Sequence, residues 1–218
     1  MALYVFDAYG TLFDVHAAAE RHKDAIGPKW QQLSQTWRAK HIEYSWHVSL
    51  AGQRAMFWSL AERSLDYAIA SVGGGVSSDV RGKLLAAYRT MDAYPEVREV
   101  LGALKARGDK LAILSNGDAD MLADAIRAAQ LEGVFDAVLS VVSAGIFKPS
   151  MKVYQLVIDR FGGAPADVSF QSSNRWDIAG AKAFGFTCVW INRTGALDEY
   201  LDLAPDRVLG DLRSLFNS

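Results

Sequence analysis

Two aspartates, one lysine and a set of small hydroxyl and amide side chains stand directly after short apolar runs in this sequence. Asp7-Ala8-Tyr9-Gly10-Thr11 follows the first run and Ser115-Asn116-Gly117 the second. Lys148-Pro149 lies past the third, and Ser172-Ser173-Asn174-Arg175-Trp176-Asp177 closes the fourth. A carboxylate and a lysine with hydroxyl and amide donors around them make an active-site inventory. Singly, each piece has a plainer explanation. An Asp after a strand is commonly a turn or cap residue, and Ser-Asn-Gly is ordinary turn chemistry. Asn174 and Asp177 suit a helix start, and a lysine before proline is usually solvated. Function is favoured because all four sets occupy equivalent positions, in order.

The elements that must position these residues are readable from the pattern. The runs Ala2–Phe6, Lys110–Leu114, Ala137–Val142, Val168–Gln171 and Thr187–Ile191 are short and rich in Val, Ile, Leu and Phe. They do not alternate with polar residues, so they read as strands buried on both faces. Helical stretches lie between them over Pro95–Arg107, Asp118–Gln130, Ser150–Phe161 and Asp177–Phe184, with stops at Gly108, Gly162-Gly163 and Gly185. This alternation predicts an α/β fold with a doubly wound, Rossmann-like parallel sheet. Residues 15–92 contain no convincing strand. They predict helices over Val15–Ile26, Lys29–Ser49, Arg54–Ser71 and Ser77–Thr90. An all-helical cap inserted after strand one is expected over 15–92, with the catalytic core over 1–14 and 93–218. In an open α/β sheet, ligands bind at the carboxyl ends of the strands. All four polar sets would then share one rim.

The segment Phe6-Asp7-Ala8-Tyr9-Gly10-Thr11-Leu12-Phe13-Asp14 resembles the nucleophile motif of the haloacid dehalogenase superfamily. Leu114-Ser115-Asn116-Gly117, Phe147-Lys148-Pro149 and Ser172 to Asp177 resemble its other three motifs, in order. Within it the chain is most similar to the (S)-2-haloacid dehalogenases. These carry a Trp-Arg pair in the cap followed by Glu-Tyr-Ser/Thr-Trp, here Trp37-Arg38 and Glu43-Tyr44-Ser45-Trp46. The likeness spans essentially the whole chain. One minor departure is Met151, where a second proline often stands.

Most members of that superfamily transfer phosphoryl groups. They place a second acid two residues after the nucleophile and hold Mg²⁺ with carboxylates at the start of the fourth motif. Here Tyr9 and Ser172 stand at those positions. A tyrosine, of ordinary pKa ~10, is a poor proton donor near neutrality. Displacing a halide needs no proton donor, because the halide leaves as a stable anion. The resemblance therefore implies hydrolytic dehalogenation of short (S)-2-haloalkanoic acids to (R)-2-hydroxy acids through an ester on Asp7, without cofactor or metal. It implies catalytic roles for Asp7, Thr11, Arg38, Ser115, Lys148, Tyr154, Ser172, Asn174 and Asp177. Asp177 would be the base or orienter of the hydrolytic water. The substrate would meet Ala8, Tyr9, Arg38, Ile42, Phe57, Ser115, Asn116 and Trp176. For Tyr154, an ordinary core position is an equal alternative. A Mg²⁺-dependent phosphatase of the same fold and a catalytically silent dimeric scaffold are the competing readings.

Composition narrows the remaining classes. Of 218 residues, 50% are apolar and 22% charged, with only 18 Gly and 5 Pro, which excludes disordered and fibrous chains. The net charge of −2 and the lack of any basic run beyond two residues argue against nucleic-acid binding. The single cysteine, Cys188, allows neither an intrachain disulfide nor a thiolate zinc site, and reads as a small core residue. No apolar run approaches the ~20 residues of a membrane span. The first residues lack the basic region of a signal peptide, so a cytoplasmic location is expected. His16, His22, His41 and His47 fit no hydrolase motif and read as structural or surface residues. The stripe Trp30, Leu33, Trp37, Tyr44 and Val48 should pack either inside the cap or against a second subunit. A homodimer is expected.

Overall fold

A computed structural model of the chain describes residues 1–216. Its elements are β1 (Leu3–Phe6), α1 (Ala17–Arg21), α2 (Lys23–Ile26), α3 (Trp30–Leu50), α4 (Phe57–Ser71), α5 (Ser78–Arg89), α6 (Val97–Ala106), β2 (Lys110–Ser115), α7 (Ala119–Ala128), β3 (Ala137–Ser140), α8 (Met151–Phe161), β4 (Val168–Ser172), α9 (Arg175–Phe184), β5 (Thr187–Ile191) and β6 (Arg207–Leu209). All six strands pair in parallel, in the order β3-β2-β1-β4-β5-β6. This is the doubly wound α/β arrangement, and its order reverses between β1 and β4. The crevice at such a reversal is where open sheets bind ligands. In register, Phe6 lies beside Ile113 on one side and Gln171 on the other. The next residues along those three strands therefore share one edge: Asp7, Leu114 with Ser115, and Ser172. The backbone N–H of Asp7 donates to the Gln171 carbonyl at 2.9 Å, which extends the ladder to Asp7 itself.

The strands are buried because both faces carry helices. Val5, Phe6, Leu111 to Leu114, Val168, Phe170, Cys188 and Ile191 are all essentially inaccessible. The chain between β1 and α6 forms helices α1 to α5 and contributes no strand to the sheet. The long stripe on α3 faces inward. Leu33, Trp37 and Val48 are buried, and the Trp37 indole N–H donates to the Ala61 carbonyl of α4 at 2.9 Å. Leu33, Trp37 and Val48 of that stripe are thus packing surface inside the cap, while Trp30 and Tyr44 are only partly buried.

Four local expectations differ from the structure. The stretch Val15–Ile26 is two short helices meeting at His22, not one. The third strand ends at Ser140, whose hydroxyl donates to the Gly117 carbonyl at 2.7 Å and accepts from Val142 N–H, and Val141–Ser143 turns as 3-10 helix. The helix after β4 starts at Arg175, two residues early, because Asn174 takes the cap position. Strand β6 lies between Pro205-Asp206 and Gly210 and is too short to carry a pattern. The expected core range ends at 218, and its last two residues lie outside those described.

Candidate active site

The chain leaves β1 at Phe6 and turns sharply at Gly10, which adopts φ +90, a left-handed conformation that a side chain resists. This turn folds Thr11 back over Asp7. The Ala8 carbonyl accepts from the N–H groups of Thr11, Leu12 and Phe13, so Ala8 is a buried pivot. The two oxygens of Asp7 have unlike surroundings. Oδ2 accepts from Asn174 Nδ2 at 2.7 Å, Thr11 Oγ1 at 3.1 Å and Ser172 Oγ at 3.4 Å. Among the described residues, Oδ1 accepts only from Lys148 Nζ, at 3.1 Å. One oxygen is saturated with donors and the other keeps a free lone pair.

Lys148 is 1% exposed and bridges two carboxylates, with Asp177 Oδ2 at 2.8 Å. Its ammonium also lies 5.1 Å above the Phe170 ring. Burial works against its charge, yet the attraction of Asp177 and Asp7 raises its pKa overall. Asp177 is fully buried, and Tyr154 Oη donates to its Oδ1 at 2.8 Å. Burial pushes the Asp177 carboxyl up to about 6, with Lys148 pulling the other way. Tyr154 is therefore both core and network member. Burial and the Asp177 charge push its phenol well above the ordinary tyrosine value.

A small cavity opens in front of Asp7. Its polar walls are Asp7, Arg38, Asn116 and Asn174, and its apolar walls are Tyr9, Ile42, Phe57 and Trp176. Arg38 arrives from cap helix α3. Its Nη2 donates to the Tyr9 carbonyl at 3.1 Å and to Asn174 Oδ1 at 3.2 Å, while its buried Nη1 meets no well-formed hydrogen-bond partner among the described residues, with the Tyr88 phenol close enough to interact with the guanidinium. Asn116 accepts the Lys148 backbone N–H at 2.9 Å through Oδ1. With the amide oxygen so placed, the Asn116 NH₂ group is the end left for a ligand. Ser115 is fully buried, and its Oγ accepts from Gly117 N–H at 3.1 Å, which shapes the turn beneath Asn116. Lys148, Tyr154, Ser172 and Asp177 lie behind Asp7 rather than on the cavity wall. Both Asp177 oxygens are already engaged, so it faces the lysine and the phenol.

Tyr9 is 2% exposed and stacks on Tyr88 at 5.9 Å and beside Phe57 at 5.7 Å. Burial, with Tyr88 and Asp118 adding repulsion, holds its phenol well above the ordinary value. A proton donor it is not. Gly117 packs so close to this ring that a β-carbon there would meet Tyr9 Cε2 at 2.7 Å.

The family model for haloacid dehalogenase-like hydrolases matches residues 1–185. The chain is 47% identical over 203 residues to (S)-2-haloacid dehalogenase 1 of Pseudomonas sp. (strain CBS-3), covering 93% of this chain and 89% of that protein. The chain belongs to the haloacid dehalogenase-like hydrolases. Within them its similarity is to (S)-2-haloacid dehalogenases. A solved dehalogenase with an intermediate complex superposes with a TM-score of 0.97 at 40% identity, covering 100% of this chain and 96% of that one. The L-2-haloacid dehalogenase of Xanthobacter autotrophicus with chloropropionic acid covalently bound superposes with a TM-score of 0.87 at 34% identity, covering 99% and 96%.

Three residues of this family member's site lack any motif signal. Tyr88, on α5, stacks on Tyr9 and lies 4.8 Å from the Trp37 ring. His41 stacks on Phe57 at 3.8 Å and is completely buried. Its Nε2 donates to the Phe57 carbonyl at 3.0 Å, because that oxygen can only accept, and Nδ1 is left to accept from Tyr88 Oη at 3.3 Å. Asp118 was readable only as the acid opening its own helix α7. Its side chain makes no bond there and reaches α4 instead, accepting from Phe57 and Trp58 N–H. Arg175, inside the fourth motif, points away from the site. It pairs with Asp198 at 2.6 Å and holds the Tyr200 carbonyl.

Proposed function

We propose that this chain hydrolyses short (S)-2-haloalkanoic acids to (R)-2-hydroxyalkanoic acids through a covalent ester on Asp7, with no metal taking part. One observation carries the reading. Arg38, whose Nη1 makes no well-formed hydrogen bond among the described residues, and the free lone pair of Asp7 Oδ1 belong to the same small cavity, whose remaining walls are apolar. A cation with spare donor capacity beside a nucleophile suits a substrate that is itself a small carboxylate. The free volume of the cavity is only about 10 Å³, far below the roughly 300–1,000 Å³ of drug-sized pockets, so only a small acid can enter and only as the walls give way.

In the proposed route, Arg38 and Asn116 hold the substrate carboxylate. Asp7 Oδ1 attacks C2 from the side opposite the halogen, the new O–C2 bond forms, and the halide departs with the bonding pair. Configuration at C2 inverts. Oδ2 is then the ester carbonyl oxygen. Its three donors, Asn174, Thr11 and Ser172, are already in place as an oxyanion hole. Water adds to the Asp7 carbonyl carbon and gives one proton toward the Asp177–Lys148 pair. Collapse breaks the Oδ1 to carbonyl-carbon bond, and that proton completes the product hydroxyl. The second proton leaves with the halide as acid. Asp177 holds Lys148 and Tyr154, and its raised carboxyl makes it the natural proton store.

Support against the phosphatase alternative comes from the residues that replace its parts. Tyr9 is a wall, and the Lys148 ammonium sits between Asp7 and Asp177, where a bridging cation would otherwise stand. We further propose the division into a core over 1–14 and 93–218 and a cap over 15–92, since the nucleophile comes from the first and Arg38 from the second. The test is halide release from (S)-2-chloropropionate in EDTA, followed by a single turnover in ¹⁸O-water with enzyme in excess. Solvent oxygen should enter the peptide containing Asp7 and not the hydroxy acid. Label in the product after one turnover would mean that water attacks C2 directly.

A further inference from the structure

Helix α4 begins with Phe57, whose ring forms one wall of the cavity. The helix has no cap of its own, since its N-cap residue is Met56, which offers no acceptor. The first N–H groups of any helix need acceptors, above all where they are shielded from water. Those of Phe57 and Trp58 find theirs in Asp118, sixty residues away on the core, at 3.0 Å to Oδ1 and 2.8 Å to Oδ2. Asp118 is 2% exposed, and both of its oxygens are spent on this one helix end. It also directly follows Asn116-Gly117, where Asn116 lines the cavity and Gly117 lies against the Tyr9 ring. One carboxylate thus joins the loop that carries the ligand-facing amide to the helix that carries the opposing aromatic wall.

We propose that Asp118 is a positioning residue for substrate: a latch between core and cap that sets the distance from the Phe57 wall to Asp7 and Asn116, and with it the fit of the C2 substituent. This function goes beyond capping a helix. A hydroxyl or carboxylate at position 56 would cap α4 at the Trp58 or Ser59 N–H without fixing where α4 sits on the core. Met56 is 52% exposed, has the extended backbone of an N-cap residue (φ −71, ψ 138) and is not among the cavity walls, so a cap can be moved there.

The test compares Asp118→Ala, Asp118→Asn, and Asp118→Ala combined with Met56→Ser. Its kinetic arm rests on the dehalogenation reading, and its exchange arm does not. Asp118→Ala should lower Tm and raise KM for (S)-2-chloropropionate about tenfold, the scale of one ill-fitting apolar wall, with kcat much less changed. Asp118→Asn keeps one acceptor and should fall between. Adding Met56→Ser should return part of the lost Tm while KM stays raised. Recovery of KM together with Tm would show that Asp118 is only a helix cap, and an unchanged KM in Asp118→Ala would overturn the latch outright. Amide exchange at Phe57 and Trp58 checks, without substrate, that Asp118 holds this helix end. It should be at least about tenfold faster in Asp118→Ala, and equal exchange refutes the latch. Wild-type protein that releases no halide would count against dehalogenation alone.

Discussion

His41 offers a measurable signature of how the cap is built. It is sealed between Phe57 and Tyr88 with both ring nitrogens engaged, and burial together with the nearby Arg38 charge lowers its pKa to about 3. In the unfolded chain the same imidazole titrates near 6.5. The folded state is then the poorer proton binder, so this contribution to stability is complete above about pH 6.5 and is lost as pH falls toward 3. Between pH 7 and pH 5 the loss is about 2 kcal/mol, or roughly 4–8 °C in Tm for a chain of this size. Asp177 acts in the opposite sense. Its folded carboxyl is raised to about 6 from an ordinary 3.8, so protonating it favours the folded state as pH falls through that window, by roughly 1 kcal/mol at pH 5. The wild-type curve alone therefore hides the histidine. His41→Gln removes it and keeps an N–H for the Phe57 carbonyl. Urea or thermal unfolding of both proteins at pH 7, 6 and 5 should give a gap between them that narrows by about 2 kcal/mol toward acid. A constant gap would show that His41 is not held neutral by its surroundings, and the tight cap packing inferred around Arg38 would be wrong.

The proton store predicts an acid limb for dehalogenation near pH 6, where Asp177 takes up a proton and loosens its hold on Lys148. Tyr154→Phe deletes a hydrogen bond to the charged carboxylate and should move that limb to higher pH, as read from kcat against pH; a limb that does not move would detach Asp177 from the rate. Arg38→Lys preserves charge but loses the planar fork, leaving the Tyr9 carbonyl, Asn174 and the substrate carboxylate to share one ammonium. A fall of roughly ten- to hundredfold in kcat/KM is expected from steady-state halide release, and full activity would remove Arg38 from substrate binding.

The motif residues were legible because parallel strands impose their geometry. Once β1, β2 and β4 are adjacent and in register, Asp7, Ser115 with Asn116, and Ser172 to Asn174 must meet at one edge, whatever the helices do. Lys148 and Asp177 follow from short connections to that edge. Contacts within the cap and between cap and core are different in kind. His41 to Tyr88 spans 47 residues and Phe57 to Asp118 spans 61, and both depend on how α3, α4 and α5 cross, which apolar periodicity does not specify. The same holds for Asp118, whose position before a helix carries an obvious local meaning that its side chain does not fulfil. Strand β6 was illegible for a simpler reason: three residues cannot show a period.

The split between core and cap matches the charge changes the proposed route requires. In the first step one negative charge moves from Asp7 to the halide, and the total charge in the site stays constant. No proton is needed, and Arg38 with its spare donor answers both the substrate carboxylate and the emerging anion from the cap side. In the second step charge builds on Asp7 Oδ2 while a proton must be lodged. Every group suited to that lies on the core side: Asn174, Thr11 and Ser172 around Oδ2, and Lys148, Asp177 and Tyr154 behind it. A second carboxylic acid at position 9 would serve neither step. It would add negative charge beside an anionic substrate, and it would take the place of the ring that, with Phe57, keeps the cavity apolar. The tyrosine at position 9 therefore suits the proposed route better than an acid would. A carboxylate introduced as Tyr9→Asp should accordingly weaken substrate binding rather than broaden the reaction.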